Sequence, residues 1–247
     1  MDVDILMFVA IGFLAQMVDG ALGMAFGVIC SSSLIAFGLP PVMASASVHA
    51  AEIVTTGISG GSHVWHRNVD KRLFLRLAVT GVAGGVVGAY LLTGLPTDIV
   101  KAFVAFYLVG MALLIIDRVR GRVHEGVKPP PQVLGAGGGF LDAIGGGGWG
   151  PIVASSLMAT GGEPRRSIGS ANCAEFFVTV AVSVTFMLHL ELAEYSRIVL
   201  GLVIGGALAA PLAGWLIRIM PQKLALGLVA IVVSAQAVIS LYSFMRA

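Results

Sequence analysis

Long apolar runs, each closed by a short polar, Gly- or Pro-bearing stretch, set the pattern of this chain. Residues 5–18 form a first apolar segment and 27–37 a second, shorter one. DGALGMAFG lies between them and GLPP (38–41) follows, a combination that breaks helices. Residues 42–62 read as a full-length helix entered through proline, whose fixed φ suits a first turn. After the polar HVWHRNVDKR come spans at 73–93 and 97–117, joined by TGLPT. The basic stretch RVRGRVHEGVKPPP (118–131) precedes segments at 132–144, 149–160, 165–188, 198–219 and 222–244. Apolar runs of ~20 residues cross a bilayer as helices. None of these alternates apolar with polar positions, as membrane β-strands do. The pattern predicts an all-α polytopic membrane protein.

Composition agrees. The chain is 57% hydrophobic and 11% charged, against about 25% charged in soluble domains. A net charge of +2, confined to loops, gives no nucleic-acid partner. Cys30 and Cys173 are expected to pack as small buried hydrophobes rather than to pair. The acidic N-terminus MDVDILMF does not read as a cleaved signal peptide. No HExxH or GxSxG is present, and one histidine among scattered carboxylates is no metal-ligand set. An enzyme, a catalytic residue, a cofactor and a metal are therefore not expected.

The segment order is a duplication. Windows 19–56 and 142–179 align without a gap at an offset of 123, with fourteen of 38 positions identical. The matches include Asp19/Asp142, Gly23/Gly146, Gly27/Gly150, Ser32/Ser155, Ser33/Ser156, Pro41/Pro164, Glu52/Glu175 and Thr56/Thr179. Chance in so biased a composition gives about a tenth to a sixth. The expected division is an N-terminal repeat (1–117), a basic linker (118–131) and a C-terminal repeat (132–247).

Lysine and arginine orient the copies. The loop with Arg67, Lys71, Arg72 and Arg76 and the linker with Arg118, Arg120, Arg122 and Lys128 are both expected on the cytoplasmic side. The second copy of that loop holds Glu191, Glu194 and a single Arg197, and reads as external. Equivalent loops then face opposite ways, so the repeats have inverted topology, a plan common among secondary transporters. Eight to ten membrane segments fit: five plus five crossings, or three plus three with a broken, re-entrant hairpin in each half. The first count is preferred.

Of the 28 charged residues, Asp19, Glu52, Asp142 and Glu175 are the ones set deep in the apolar segments and their glycine breaks, and every lysine and arginine lies in a loop or near a helix end. A carboxylate at bilayer depth costs from a few to more than ten kcal/mol, roughly, so it must face the bundle interior and find a partner or a proton. Glu52 and Glu175 are expected to be coupling acids. Asp19 and Asp142, beside the glycine breaks, either join the site or hold freed backbone amides. Ser45, His49, Glu52 and Thr56 share one helical stripe, matched by Ile168, Asn172, Glu175 and Thr179. His49 and Asn172 thereby become candidate binding residues.

Gly23, Gly27, Gly146, Gly147, Gly148 and Gly150 are expected to unwind the backbone in mid-membrane, where irregular chain must be buried or line a cavity. Helices resuming near Gly27 and Gly150 would offer N–H groups and positive dipole ends to an anion. Ser32, Ser33, Ser155 and Ser156 would add hydroxyls in the first turns beyond. Gly84, Gly85, Gly88, Gly201, Gly205 and Gly206 are assigned instead to close helix packing.

DGALGMAFG, its second copy and the helix segments ending SVHAAE and SANCAE resemble the sulfite exporter TauE/SafE family over essentially the whole chain. The resemblance implies export of a small sulfur-containing or organic anion, such as sulfite or a sulfonate, across the bacterial inner membrane. A secondary transporter working by alternating access, with proton coupling through the glutamates, is the reading preferred. A passive anion channel of the same fold is the alternative, and a site binding a cation such as Na⁺ is a further one. The partners expected are the anion and the lipid bilayer, with the protein a monomer or homodimer.

Overall fold

The computed structural model describes residues 5–22, 25–121, 129–159 and 163–216, with scattered positions from 224 to 242. Gly23, residues 122–128 of the linker and most of the segment expected at 222–244 lie outside the described residues. Among the described residues every element is helical. The first half holds α1 (Ile5–Leu22), α2 (Phe26–Ala36), α3 (Pro41–Trp65), α4 (Lys71–Gly94) and α5 (Thr97–Val119). The second holds α6 (Pro131–Gly145), a π-helical turn (Gly150–Ala154) running into α7 (Ser155–Ala159), α8 (Pro164–Met187) and α9 (Leu192–Leu216).

Local chemistry sets the ends. α3, α6 and α8 each open on a proline, whose missing N–H is an unpaired donor of the first turn anyway. Asp70 caps α4, its carboxylate accepting from the amides of Arg72 at 2.9 Å and Leu73 at 3.1 Å. Three helices outrun the apolar segments. α1 continues past Asp19, α3 runs on through His63 to Trp65, and α9 starts at Leu192 inside the polar stretch. At the ends of α3 and α9 polar residues meet water while the backbone stays internally bonded, and at the end of α1 Asp19 finds partners inside the protein, so hydropathy stops short of the true terminus.

Length separates the helices into two kinds. α3, α4, α8 and α9 have 24 or 25 residues, or about 36 Å at ~1.5 Å per residue, enough for a ~30 Å hydrocarbon core. α2 has 11 residues, and the π turn plus α7 has five and five. Each is about 15 Å long and ends halfway.

α1 packs against α9, and α6 against α4: the first helix of each half lies on the fourth of the other. Glycines bring these backbones together. A Cβ on Gly84 would overlap the carbonyl of Ala136, one on Gly139 that of Gly81, and one on Gly205 that of Val9. This is close packing through small residues, the role expected for Gly84, Gly88, Gly201 and Gly205. α3 and α8 cross antiparallel at the centre, with Gly60 against Cys173 and His49 against Phe186. Cys30 and Cys173 are buried and unpaired.

Polarity is distributed inside out. Leu6, Val79, Tyr90, Phe106, Leu113 and Leu208 face outward, while Ser31, Ser45, His49, Glu52, Asp142 and Thr179 are buried. An apolar exterior of this extent marks a surface that meets lipid or another protein.

Candidate functional site

The two aspartates do the same job at equivalent places. Asp19 Oδ1 accepts from the amides of Ala25 (2.7 Å) and Phe26 (3.1 Å). Asp142 Oδ1 accepts from those of Gly148 (2.7 Å) and Trp149 (3.0 Å). Ala25/Gly148 and Phe26/Trp149 are repeat counterparts, so one cap is built twice. Each carboxylate takes amide donors that a break in the helix sets free, and a negative charge is favoured at a helix start. The donors expected to await an anion are, at these four amides, already held by the protein's own carboxylates.

The breaks themselves touch. α6 is capped by Gly146, in the left-handed region at φ 70, and Gly147 follows at φ 139. A Cβ on Gly147 would overlap the backbone of Gly27 and Val28, and one on Gly27 would lie 2.7 Å from Gly147 Cα and 2.6 Å from Glu52 Oε1. Only glycine allows this crossing. Three hydroxyls bind the broken strand: Tyr107 donates to Gly147 O at 2.5 Å, Ser31 to Gly145 O at 3.0 Å and Ser45 to Ala143 O at 2.5 Å.

Beside the crossing lies a cavity of about 260 Å³, well above the ~10–15 Å³ that one water needs. Asp19, Glu52 and Glu175 line it, and among the described residues no lysine or arginine does. Glu52 is 5% exposed, and its Oε2 has no hydrogen-bond partner. Thr55 and Thr56 donate to the backbone carbonyl of Glu52 at 3.3 and 2.5 Å, not to its carboxyl. Asn172 donates to Ser59 Oγ at 2.9 Å.

Of the residues singled out from the sequence, the structure brings Gly27, Gly147, Gly148, Gly150, Asn172, Asp19, Glu52 and Glu175 to this cavity. It places others behind. His49, fully buried, turns away and sets Nε2 3.2 Å from Asp142 Oδ2. Gly146 backs onto Ser31 and Ser45. The Ser32 hydroxyl bonds back to the Val28 carbonyl, while Ser33 and Ser156 are half-buried and off the lining. Gly23 and the side chain of Ser155 lie outside the described residues. Gln16, Ser59 and His63 also line the cavity. Ser59 and His63 simply continue the stripe of Ser45, His49, Glu52 and Thr56 for two more turns, so the 3.6-residue period carried that signal.

The sequence profile of the family described as sulfite exporter TauE/SafE matches residues 8–240. The chain belongs to that family. This TauE/SafE chain is 38% identical over 224 residues to the probable membrane transporter protein YtnM of Bacillus subtilis (strain 168), covering 87% of its own length and 75% of the relative's. It is 30% identical over 107 residues to the probable membrane transporter protein ORF9 of a Sinorhizobium species, covering 43% and 40%. No solved structure matches it. Membership places the TauE/SafE chain among membrane transporters, in accord with its apolar exterior.

Proposed function

We propose that the protein is a secondary transporter in the bacterial inner membrane, exporting a small anion of the sulfite or sulfonate class by alternating access between two inverted repeats. The observation that supports it best is the pair of interrupted helices crossing at Gly27 and Gly147 beside a polar cavity, within otherwise apolar surroundings. The exchanged packing of α1 on α9 and α6 on α4 is what a two-fold relation between the halves would produce. Half-length α2 and α7 favour a re-entrant hairpin in each half, with three crossings beside it, over the five-plus-five arrangement.

The charge balance of the cavity defines the coupling. An anion 4 Å from one ionised carboxylate is opposed by about 4 kcal/mol at an effective dielectric of ~20. With Glu52 and Glu175 both present and, among the described residues, no lysine or arginine on the lining, the anion enters with protons on these acids. A protonated carboxyl then becomes a donor to the guest instead of a repelling charge. The family's description, not the geometry, points to sulfite, and a sulfonate shares its charged S–O chemistry.

Counterflow in proteoliposomes tests the reading. Vesicles preloaded with unlabelled sulfite or sulfoacetate are expected to take up the labelled anion faster than empty ones, with saturation. Flux that rises linearly and ignores the internal anion would mean a passive channel instead.

A further inference from the structure

The cavity is one-sided, and the side that is shut is shut by contacts that the repeat does not duplicate. Along α3 the lining starts at Glu52 and continues through Thr55, Thr56 and Ser59 to His63, close to the turn at 66–70. Along α8 it runs from Ile168 through Asn172 and stops at Glu175. The helices are antiparallel, so both runs open at the same face. Exposure follows: Ser59, His63, Ile168 and Asn172 are half-exposed, whereas Glu52 and Thr56 are buried.

Beyond Glu52 the way is closed by four polar contacts between the first half and the second-half break. His49 Nε2 meets Asp142 Oδ2 at 3.2 Å, and Ser45, Ser31 and Tyr107 hold the carbonyls of Ala143, Gly145 and Gly147. The Ser45 carbonyl, 2.8 Å from His49 Nδ1, can only accept, so Nδ1 carries a proton. A neutral His49 then has only a lone pair at Nε2. One proton must lie between Nε2 and Asp142, whichever of the two it is assigned to.

The offset of 123 names the counterparts at the open face. His49 corresponds to Asn172 and Asp142 to Asp19, a pair able to form one hydrogen bond. Ser45 corresponds to Ile168, Ser31 to Ala154 and Tyr107 to Ala230. None of these has a hydroxyl. In this structure Asn172 donates to Ser59 rather than to Asp19.

We infer that His49, Ser45, Ser31 and Tyr107 form a latch that closes the face remote from the 66–70 turn, and that its missing counterpart makes the state open toward that turn the resting state. The inference rests on alternating access as proposed above and adds which face is open at rest and which residues decide it. A second observation agrees. Thr179 Oγ1 and Ser183 Oγ are buried with no partner, on the closed side of α8. Thr179 is the counterpart of Thr56, which lines the present cavity. Opening the remote face would hydrate it. The polarity suits an exporter, since a carrier resting open toward the basic, cytoplasmic-type turn waits where its cargo is made.

Cysteine accessibility tests this without any substrate. In a Cys30→Ala/Cys173→Ala background, Thr55→Cys reports the present cavity, Thr179→Cys the opposite one, and Lys71→Cys identifies the face of the 66–70 turn. A membrane-impermeant maleimide is applied to sealed vesicles of each orientation. In the parent, with its latch intact, Thr55→Cys is expected to react from the Lys71 face and Thr179→Cys to be protected from both. Ser45→Ala/Tyr107→Phe is expected to raise Thr179→Cys labelling from the remote face about tenfold, two bonds being removed. Asn172→His, which sets an imidazole opposite Asp19, is expected to protect Thr55→Cys by a similar factor. Labelling unchanged within twofold in both variants, each still melting cooperatively, overturns the latch even where counterflow succeeds. Reaction of parental Thr179→Cys from the remote face overturns the resting state. Failure of counterflow with these labelling shifts intact would instead sink the transport reading alone.

Discussion

Asp142 has more to lose than Asp19, although the sequence treats them alike. Both carboxylates hold two amides across a helix break, but Asp142 also faces His49 with its second oxygen and is only 1% exposed. Asp142→Ala would strand two amides and an imidazole, each costing about 1–3 kcal/mol when buried without a partner. It should therefore lower the thermal midpoint in detergent more than Asp19→Ala does, at about 2–4 °C per kcal/mol for a chain of this size. Equal shifts would show that the His49 contact adds nothing to stability. Gly147 is the sharper residue. Its φ of 139 and the backbone of Gly27 against it leave no room for a methyl group. Gly147→Ala is expected to abolish transport and to give little folded protein, and a variant with parental counterflow would show that the crossing is not tight.

Among whole helices, glycines divide into those that touch a neighbour and those that do not, and α6 carries both. A Cβ on Gly139 would overlap the α4 carbonyl of Gly81, while one on Gly137 meets nothing within 4 Å. Gly139→Ala should push α6 off α4 and destabilise. Gly137→Ala should instead stabilise by about 0.5–1 kcal/mol through backbone entropy alone. A thermal melt of the pair checks the opposite signs. The same helices show what was legible in the sequence. Apolar runs located every described element, and the repeat located both breaks, because burial and duplication leave marks residue by residue. The termini of α1, α3 and α9 were misplaced, since polar residues such as Asp19, His63 and Arg197 end an apolar run without ending the helix. The cap chemistry of Asp19 was open in the sequence, because a carboxylate six residues before a helix serves equally as cap or ligand until the chain between them is seen to turn back.

For the molecule as a whole, the decisive quantity is the charge enclosed where the halves meet. The sequence showed four acids in the membrane, but not that Asp19, Glu52 and Glu175 share one cavity while Asp142 lies behind it with His49. Helix spacing places residues on a face and does not say which helices confront one another. That arrangement sets a pH dependence of definite sign. Glu52 has an unpartnered oxygen at the cavity, so its proton decides whether it repels or receives an anion. With a sulfonate as cargo, whose own charge is fixed, flux at a constant internal and external pH should fall as that pH rises and the glutamates ionise. Glu52→Gln and Glu175→Gln substitute a permanently neutral donor for the protonated acid, so each should flatten the fall, and the double variant should keep only the slope that Asp19 and His63, the other titratable residues of the lining, contribute. Proteoliposome counterflow at matched pH reads this directly. If the double variant keeps the parental slope, the protons reside on other groups and the coupling assigned to these acids is wrong.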